Sequence, residues 1–105
     1  VKRLAKLCGF TLETSLRYDS WEYQSNSYMR RMTADLMKEV YGHEMMETAC
    51  PGGLECCSLL PRMEGLDIVM FAPIDENCHT TDEYMNLKSF DRVYDFLKTL
   101  LGRLK

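Results

Sequence analysis

A glycine pair is the first feature of this sequence that could bind a ligand. Gly52 and Gly53 precede a short helix predicted at residues 54–60. Glycine lets the backbone approach a ligand where a Cβ would clash, and N–H groups at the start of a helix attract a carboxylate or phosphate. The same pair is also what an ordinary turn between two elements needs. No Gly-x-x-x-x-Gly-Lys-Ser/Thr pattern is present, so a nucleotide P-loop is excluded.

A histidine beside two carboxylates is the second such feature. His79 stands near Asp82 and Glu83 in a polar loop that follows an apolar stretch, which is where binding and catalytic residues are often found. Zinc needs three or four ligands, and the only other histidine is His43. No His-Glu-x-x-His or Cys-x-x-Cys pattern completes a site. His79 is therefore either an incidental surface histidine or a metal ligand whose partners lie outside this chain.

Two further residues near the glycine pair have chemistry of their own. Glu55 could act as a base or ligand, but a glutamate in the first turn of a helix also stabilises the helix dipole. Cys56 lies at a helix start, where the pKa of a thiol falls. Because no histidine is close to it in the sequence, we assign no catalytic residue in this chain.

The elements that must position these residues follow from periodicity. Apolar residues recur at helical spacing in 1–8, 27–41 and 89–104, alternate with polar residues in 10–18 and run together in 66–72. We predict helices at 1–8, 27–41, 54–60 and 89–104, strands at 10–18, 45–50 and 66–72, a turn at 51–53 and a polar loop at 75–87. Ser25 or Ser27 is expected to cap the second helix, Gly42 to end it, and Ser89 to cap the last.

The alternation of helices and strands predicts an α/β fold. We expect a short β-α-β-α-β-α unit with a mainly parallel sheet, preceded by a helix end and an edge strand. The strand at 66–72 is expected to be the more buried, because Ile68 to Phe71 are apolar without alternation. A change in pattern near residue 20 predicts a domain boundary there, between 1–20 and 21–105.

Composition limits the classes of function. The 105 residues carry a net charge of −3, and no long basic run is present, which argues against nucleic-acid binding. No apolar stretch is long enough to cross a membrane, and the first residues do not form a signal peptide. Five cysteines without paired spacing indicate free thiols rather than a disulfide framework. We therefore expect a cytoplasmic protein.

Three segments together resemble a known family of enzymes. Residues 51–56, Pro-Gly-Gly-Leu-Glu-Cys, resemble the His-Ala-Gly-Leu-Glu-Cys motif of the aminoacyl-histidine (Xaa-His) dipeptidases, which are cytosolic di-zinc metallopeptidases. Residues 71–73 and 79–83, Phe-Ala-Pro and His-Thr-Thr-Asp-Glu, are similar to the family's Phe-Gly-Pro and His-Ser/Thr-Pro-x-Glu stretches. Residues 18–21, Tyr-Asp-Ser-Trp, resemble its Tyr-Pro-Ser/Gly-Trp turn. The resemblance covers nearly the whole chain but only the family's C-terminal portion.

The resemblance implies a role for several residues. His79 matches the last zinc ligand of the family's two-zinc site, and Gly53, with Gly52 beside it, matches a glycine whose backbone contacts the dipeptide substrate. Residues 1–20 would end the lid (dimerisation) domain, and residues 21–105 would form the C-terminal segment of the catalytic domain. The remaining zinc ligands and the general base would lie upstream, so this chain would be inactive on its own.

Two hypotheses about function result. The first is the C-terminal portion of a zinc-dependent dipeptidase that hydrolyses Xaa-His dipeptides. The second is a non-enzymatic α/β interaction module that has kept the fold without the chemistry, which is favoured by Pro51, where the family has histidine. In either case we expect homo-oligomers, because a piece of a larger sheet exposes strand edges and apolar faces. Exchange of the 1–20 segment is one way in which copies could pair.

Overall fold

The computed structural model describes residues 1–15, 19–50 and 52–104 and consists mainly of helices and irregular segments. The elements, in chain order, are α1 (Lys2–Leu7), α2 (Tyr28–Tyr41), α3 (Cys56–Leu59), a 3₁₀ turn (Leu60–Arg62), β1 (Asp75–Glu76), β2 (Tyr84–Met85) and α4 (Leu87–Arg103). β1 and β2 form an antiparallel hairpin in which Asp75 faces Met85 and Glu76 faces Tyr84. In the part of the chain that is described, no helix is long and apolar enough to cross a membrane.

The helix predictions are confirmed at α2 and, apart from its cap, at α4. Ser27 caps α2, and its side chain accepts a hydrogen bond from the backbone N–H of Arg30 at 2.9 Å. Gly42 ends α2 in the left-handed conformation with φ of 75°, which glycine adopts without strain. Helix α4 begins two residues earlier than predicted, because Asn86 rather than Ser89 is its N-cap.

The predicted α/β fold with a parallel sheet is wrong. Neither the described part of 10–18 nor 45–50 nor 66–72 forms a strand, and the hairpin is the sheet that the described residues contain. Residues 16–18 and Pro51, part of the predicted strand and of the predicted turn, lie outside the described residues. A strand is stable only when a neighbouring strand accepts and donates its backbone hydrogen bonds, and apolar periodicity alone does not provide that neighbour.

The segment 66–72 has another role in place of a strand. Its Asp67 side chain accepts hydrogen bonds from Ser27 and from the N–H of Met29 at the start of α2. Its Phe71 ring meets the Phe96 ring edge-on, with centroids 5.3 Å apart. Phe71 therefore packs against a helix instead of lining a sheet. Similarly, Glu47 in the segment 45–50 forms an ion pair with Arg30 of α2, at 2.9 Å.

The chain divides into two compact units. The first contains Val1–Tyr23 and Cys50–Leu66, and Cys57 is its buried hydrophobic residue among those described. The second contains Gln24–Ala49 and Asp67–Lys105. Its core joins α2 to α4 through buried and partly buried side chains: Leu36, Phe96, Leu100, Met32, Met37 and Phe71. The predicted domain boundary near residue 20 stays a prediction.

Candidate functional site

The hairpin of the second unit presents His79 in the turn between its strands. Asn77 and His79 both adopt positive φ, 57° and 65°. Asparagine and histidine enter the left-handed region more readily than most residues, but the conformation still has to be held by the surrounding turn. The sequence predicted a polar loop here, and the structure adds that it is closed at its base by β1 and β2.

The His79 backbone is fixed while its side chain is exposed. The N–H of His79 donates to Oε2 of Glu83 at 3.0 Å. Two more bonds close the turn, from the N–H of Thr80 to the carbonyl of Asn77 at 3.1 Å and from the Thr80 hydroxyl to the same carbonyl at 2.8 Å. Glu83 therefore orients the histidine through the main chain and leaves the exposed imidazole free to take a ligand.

The neighbours of His79 do not complete a metal site. No group of three or more histidine, cysteine, aspartate or glutamate residues is arranged to hold a metal ion in the described ranges. Cys78 donates its thiol hydrogen to the Asp75 carboxylate, and this hydrogen bond raises the pKa of Cys78. Within the described ranges, His79 is therefore not grouped with the two or three further ligands that a zinc ion needs.

The glycine pair lies in the first unit beside a shallow cleft of about 340 Å³. Gly53, Leu54, Glu55 and Ser58 line this cleft. The position that a Cβ would take at Gly53 is open, whereas one at Gly52 would lie 3.2 Å from the Cys50 sulfur. Packing does not explain the glycine at position 53, so a backbone contact with a ligand stays a prediction for it.

Helix α3 is too short to support the binding of a carboxylate or phosphate, which was one interpretation of the glycine pair. It has four residues, and Glu55 occupies its N-cap without a side-chain capping bond. A single turn has little dipole, and a carboxylate at its start would repel an anionic ligand. The glycine turn is therefore a candidate for neutral backbone contacts rather than for anion binding. Gly53 belongs to the first compact unit and His79 to the second.

Sequence reasoning missed an apolar cleft of about 370 Å³ in the second unit. Tyr41, His43, Phe71, Arg92 and Phe96 are among its lining residues. The Tyr41 ring stacks between those of His43 and Phe96, with both pairs of centroids 6.0 Å apart. The Tyr41 hydroxyl donates to the carbonyl of Arg92 at 3.2 Å. The aromatic residue at the end of α2 and the histidine just after it were the available signals.

Comparison with known proteins does not assign this chain to a group. No family model, no curated protein and no solved structure matches it.

Proposed function

We propose that this chain is the C-terminal portion of a cytoplasmic zinc-dependent dipeptidase that hydrolyses Xaa-His dipeptides, and that His79 is one of its zinc ligands. The observation that carries the proposal is the hydrogen bond from the His79 N–H to Glu83. These two residues are the first and last of the His-Thr-Thr-Asp-Glu stretch on which the resemblance depends.

The geometry of the turn supports this role for His79. A histidine that binds metal needs a fixed backbone and a ring nitrogen whose lone pair is accessible. In the hairpin, Glu83 fixes the backbone of His79. The side chain of His79 is exposed, so its ring nitrogens are accessible. Asp82 donates its N–H to the Thr80 hydroxyl at 3.2 Å, so it also contributes to the turn.

The contribution of this chain is limited to binding and positioning. It would supply one zinc ligand at His79 and a substrate-facing backbone at Gly53, with Gly52 beside it. The described residues do not contain the ligands for two zinc ions. We therefore expect the chain by itself to hydrolyse no Xaa-His dipeptide.

A non-enzymatic interaction module is the second candidate. It is supported by Pro51, where the resembled motif has histidine, and by a row of exposed apolar residues on α4. The coding sequence upstream of Val1 distinguishes the two. A His-x-Asp motif at the end of a strand, together with a pair of acidic residues in that upstream sequence, would favour the peptidase. Their absence would favour the interaction module.

The decisive experiment compares the two histidines of the chain in the full-length protein. We expect His79→Ala to lose zinc, measured by mass spectrometry of the metal content, and to lose most hydrolysis of an Xaa-His dipeptide. His43→Ala is the matched control, because it removes the same side chain from the apolar cleft of the same unit. It should keep both zinc and activity.

Two results would overturn the proposal. One is a His79→Ala protein with unchanged zinc content and activity. The other is a wild-type full-length protein that binds no zinc and cleaves no Xaa-His dipeptide. If both histidine variants lose zinc equally while circular dichroism shows an intact fold, the assignment to His79 is wrong as well.

A further inference from the structure

Helix α4 has a second apolar face that the core does not use. Its inner face carries the buried side chains of Ser89, Phe96 and Leu100. Another row of apolar residues remains exposed along the helix and its C-cap: Leu87, Phe90, Tyr94, Leu97, Leu101 and Leu104. Tyr94 is 55% exposed and Leu101 is 56% exposed. We call these six residues the α4 stripe.

The spacing of the α4 stripe is that of a helix-to-helix seam. Its residues follow one another at intervals of three, four, three, four and three, which is the a/d pattern of a heptad repeat. A pattern of this kind forms a narrow line along one side of a helix, whereas packing on a sheet uses a broader face. The α4 stripe therefore fits another helix.

The α4 stripe is also complementary to itself when two copies run in opposite directions. Turning the helix end for end about its midpoint brings Leu87 opposite Leu104, Phe90 opposite Leu101, and Tyr94 opposite Leu97. Each layer then contains at least one leucine, and each of the two aromatic rings faces a leucine rather than another ring. Such alternation of large and smaller side chains allows the two rows to interdigitate.

The charges beside the α4 stripe favour the same antiparallel register. Asp91 and Lys98 flank it on one side, at equivalent positions of successive heptads, and both are exposed. In an antiparallel pair, Asp91 of one helix lies near Lys98 of the other, and the reverse contact forms at the same time. In a parallel pair these residues would face apolar Val93 and Leu100 positions and gain no opposite charge.

We propose that a second copy of this chain docks on the α4 stripe, giving a two-fold dimer with antiparallel α4 helices. The interface is isologous, since one patch binds its own copy. Within a single chain, Lys98 forms an ion pair with Asp95 at 2.7 Å, and its ammonium group lies over the Tyr94 ring. The Lys98 side chain is therefore positioned beside the α4 stripe. This dimer does not depend on the role of His79.

The expected dimer is weak. A helix of 17 residues is about 25 Å long, and one helix pair buries less than a standard interface of about 1,600 Å². We therefore expect dissociation on dilution. Sedimentation velocity of the wild-type protein over a roughly hundred-fold concentration range should show a monomer changing to a dimer.

Two substitutions test the seam. Leu97→Asp places a charge in the central layer and should abolish the dimer at every concentration. Thr99→Asp is the matched control: it adds the same charge to an exposed position on the same helix that lies outside the α4 stripe. It should dimerise like the wild type. Circular dichroism establishes that both variants keep their helices.

Charge reversal tests the register without substituting any residue of the α4 stripe. Asp91→Lys should weaken the dimer about tenfold, and Asp91→Lys combined with Lys98→Asp should restore it, because opposite charges face each other again. A wild-type protein that stays monomeric throughout the range would overturn the proposal. So would a folded Leu97→Asp variant that dimerises normally. Failure of the double reversal to restore the dimer would refute the antiparallel register.

Discussion

At the scale of single residues, Thr33 is the polar side chain with the clearest energetic cost. It is fully buried in α2, and its hydroxyl has no hydrogen-bond partner among the described residues. An unsatisfied buried hydroxyl costs about 1–3 kcal/mol. Valine has nearly the same shape and a similar helix propensity. We therefore expect Thr33→Val to raise the free energy of unfolding by about 1 kcal/mol in a urea titration.

Thr99 provides the matched control for this prediction. It lies in the exposed part of α4, and its hydroxyl donates to the Asp95 carbonyl at 2.9 Å. Thr99→Val makes the same chemical change without relieving a buried group, so its effect should stay within about 0.5 kcal/mol. If Thr33→Val is less stable than the wild type, the hydroxyl has a partner in solution, such as a bound water molecule.

At the scale of elements, the start of α2 depends on a residue distant in sequence. The hydroxyl of Ser27 accepts from the N–H of Arg30 and donates to Oδ1 of Asp67 at 2.5 Å. The other Asp67 oxygen accepts from the N–H of Met29 at 2.9 Å. These hydrogen bonds satisfy two of the N–H groups that a helix start leaves unpaired. They join the segment after Gly65 to α2.

This cap makes stability depend on pH. The Ser27 hydroxyl and then the Met29 N–H, by donating to the ionised carboxyl, lower the pKa of Asp67 below its ordinary value. Unfolding returns that pKa to about 3.9, so the contribution of Asp67 is complete above pH 4 or so and is lost as the pH falls through the lowered folded-state value. Asp67→Asn should cost about 1 kcal/mol at neutral pH and reduce the loss of stability in acid.

Urea titrations from neutral pH to about pH 3 measure this effect. Asp19→Asn is the control, because it removes a carboxylate of the same type from an exposed position. It should leave the wild-type dependence on pH almost unchanged. Equal pH profiles for the wild type and Asp67→Asn would mean that Asp67 does not titrate differently in the folded state, which would contradict the capping role.

The sequence predicted helices better than strands because the two depend on different information. Ser27, Gly42 and the apolar spacing of α2 and α4 act within a few residues, and the predicted helices were correct there. Strands need a partner that local spacing cannot identify. The apolar run near Phe71 predicted a buried strand, but Phe71 packs against the Phe96 ring of α4, and Asp67 accepts hydrogen bonds at the start of α2.

In the candidate site, too, the sequence predicted local features and missed those that depend on how the chain folds. The residue types around His79 and Gly53 were visible in the sequence, and so was the polar loop that carries His79. The hydrogen bond from His79 to Glu83 and the positive φ of His79 required the structure, since both depend on how the turn closes. The Asp67 cap and the cleft beside Tyr41 were not predicted, because each joins segments that are far apart in the chain.

At the scale of the whole molecule, the two compact units differ in how much apolar surface each buries. In the first unit, α1 contributes no buried residue, and Leu7 is 77% exposed. In the second, Leu36, Phe96 and Leu100 form a core between α2 and α4. Backbone hydrogen bonds exchange slowly where they are covered by packed side chains. We expect amide hydrogen exchange, followed by mass spectrometry, to be slow in α2 and α4 and fast in α1.

A core substitution separates local from global opening in the same experiment. Leu100→Ala removes a side chain that is 2% exposed and should cost about 2–5 kcal/mol in the second unit. If the units open independently, protection falls in α2 and α4 together, because they share this core, while exchange in α1 does not change. Leu7→Ala is the matched control, since it shortens an exposed leucine in α1 and should leave α2 and α4 protected. Protection of α1 equal to that of α4, lost to the same extent in Leu100→Ala, would show instead that the chain unfolds as one cooperative body.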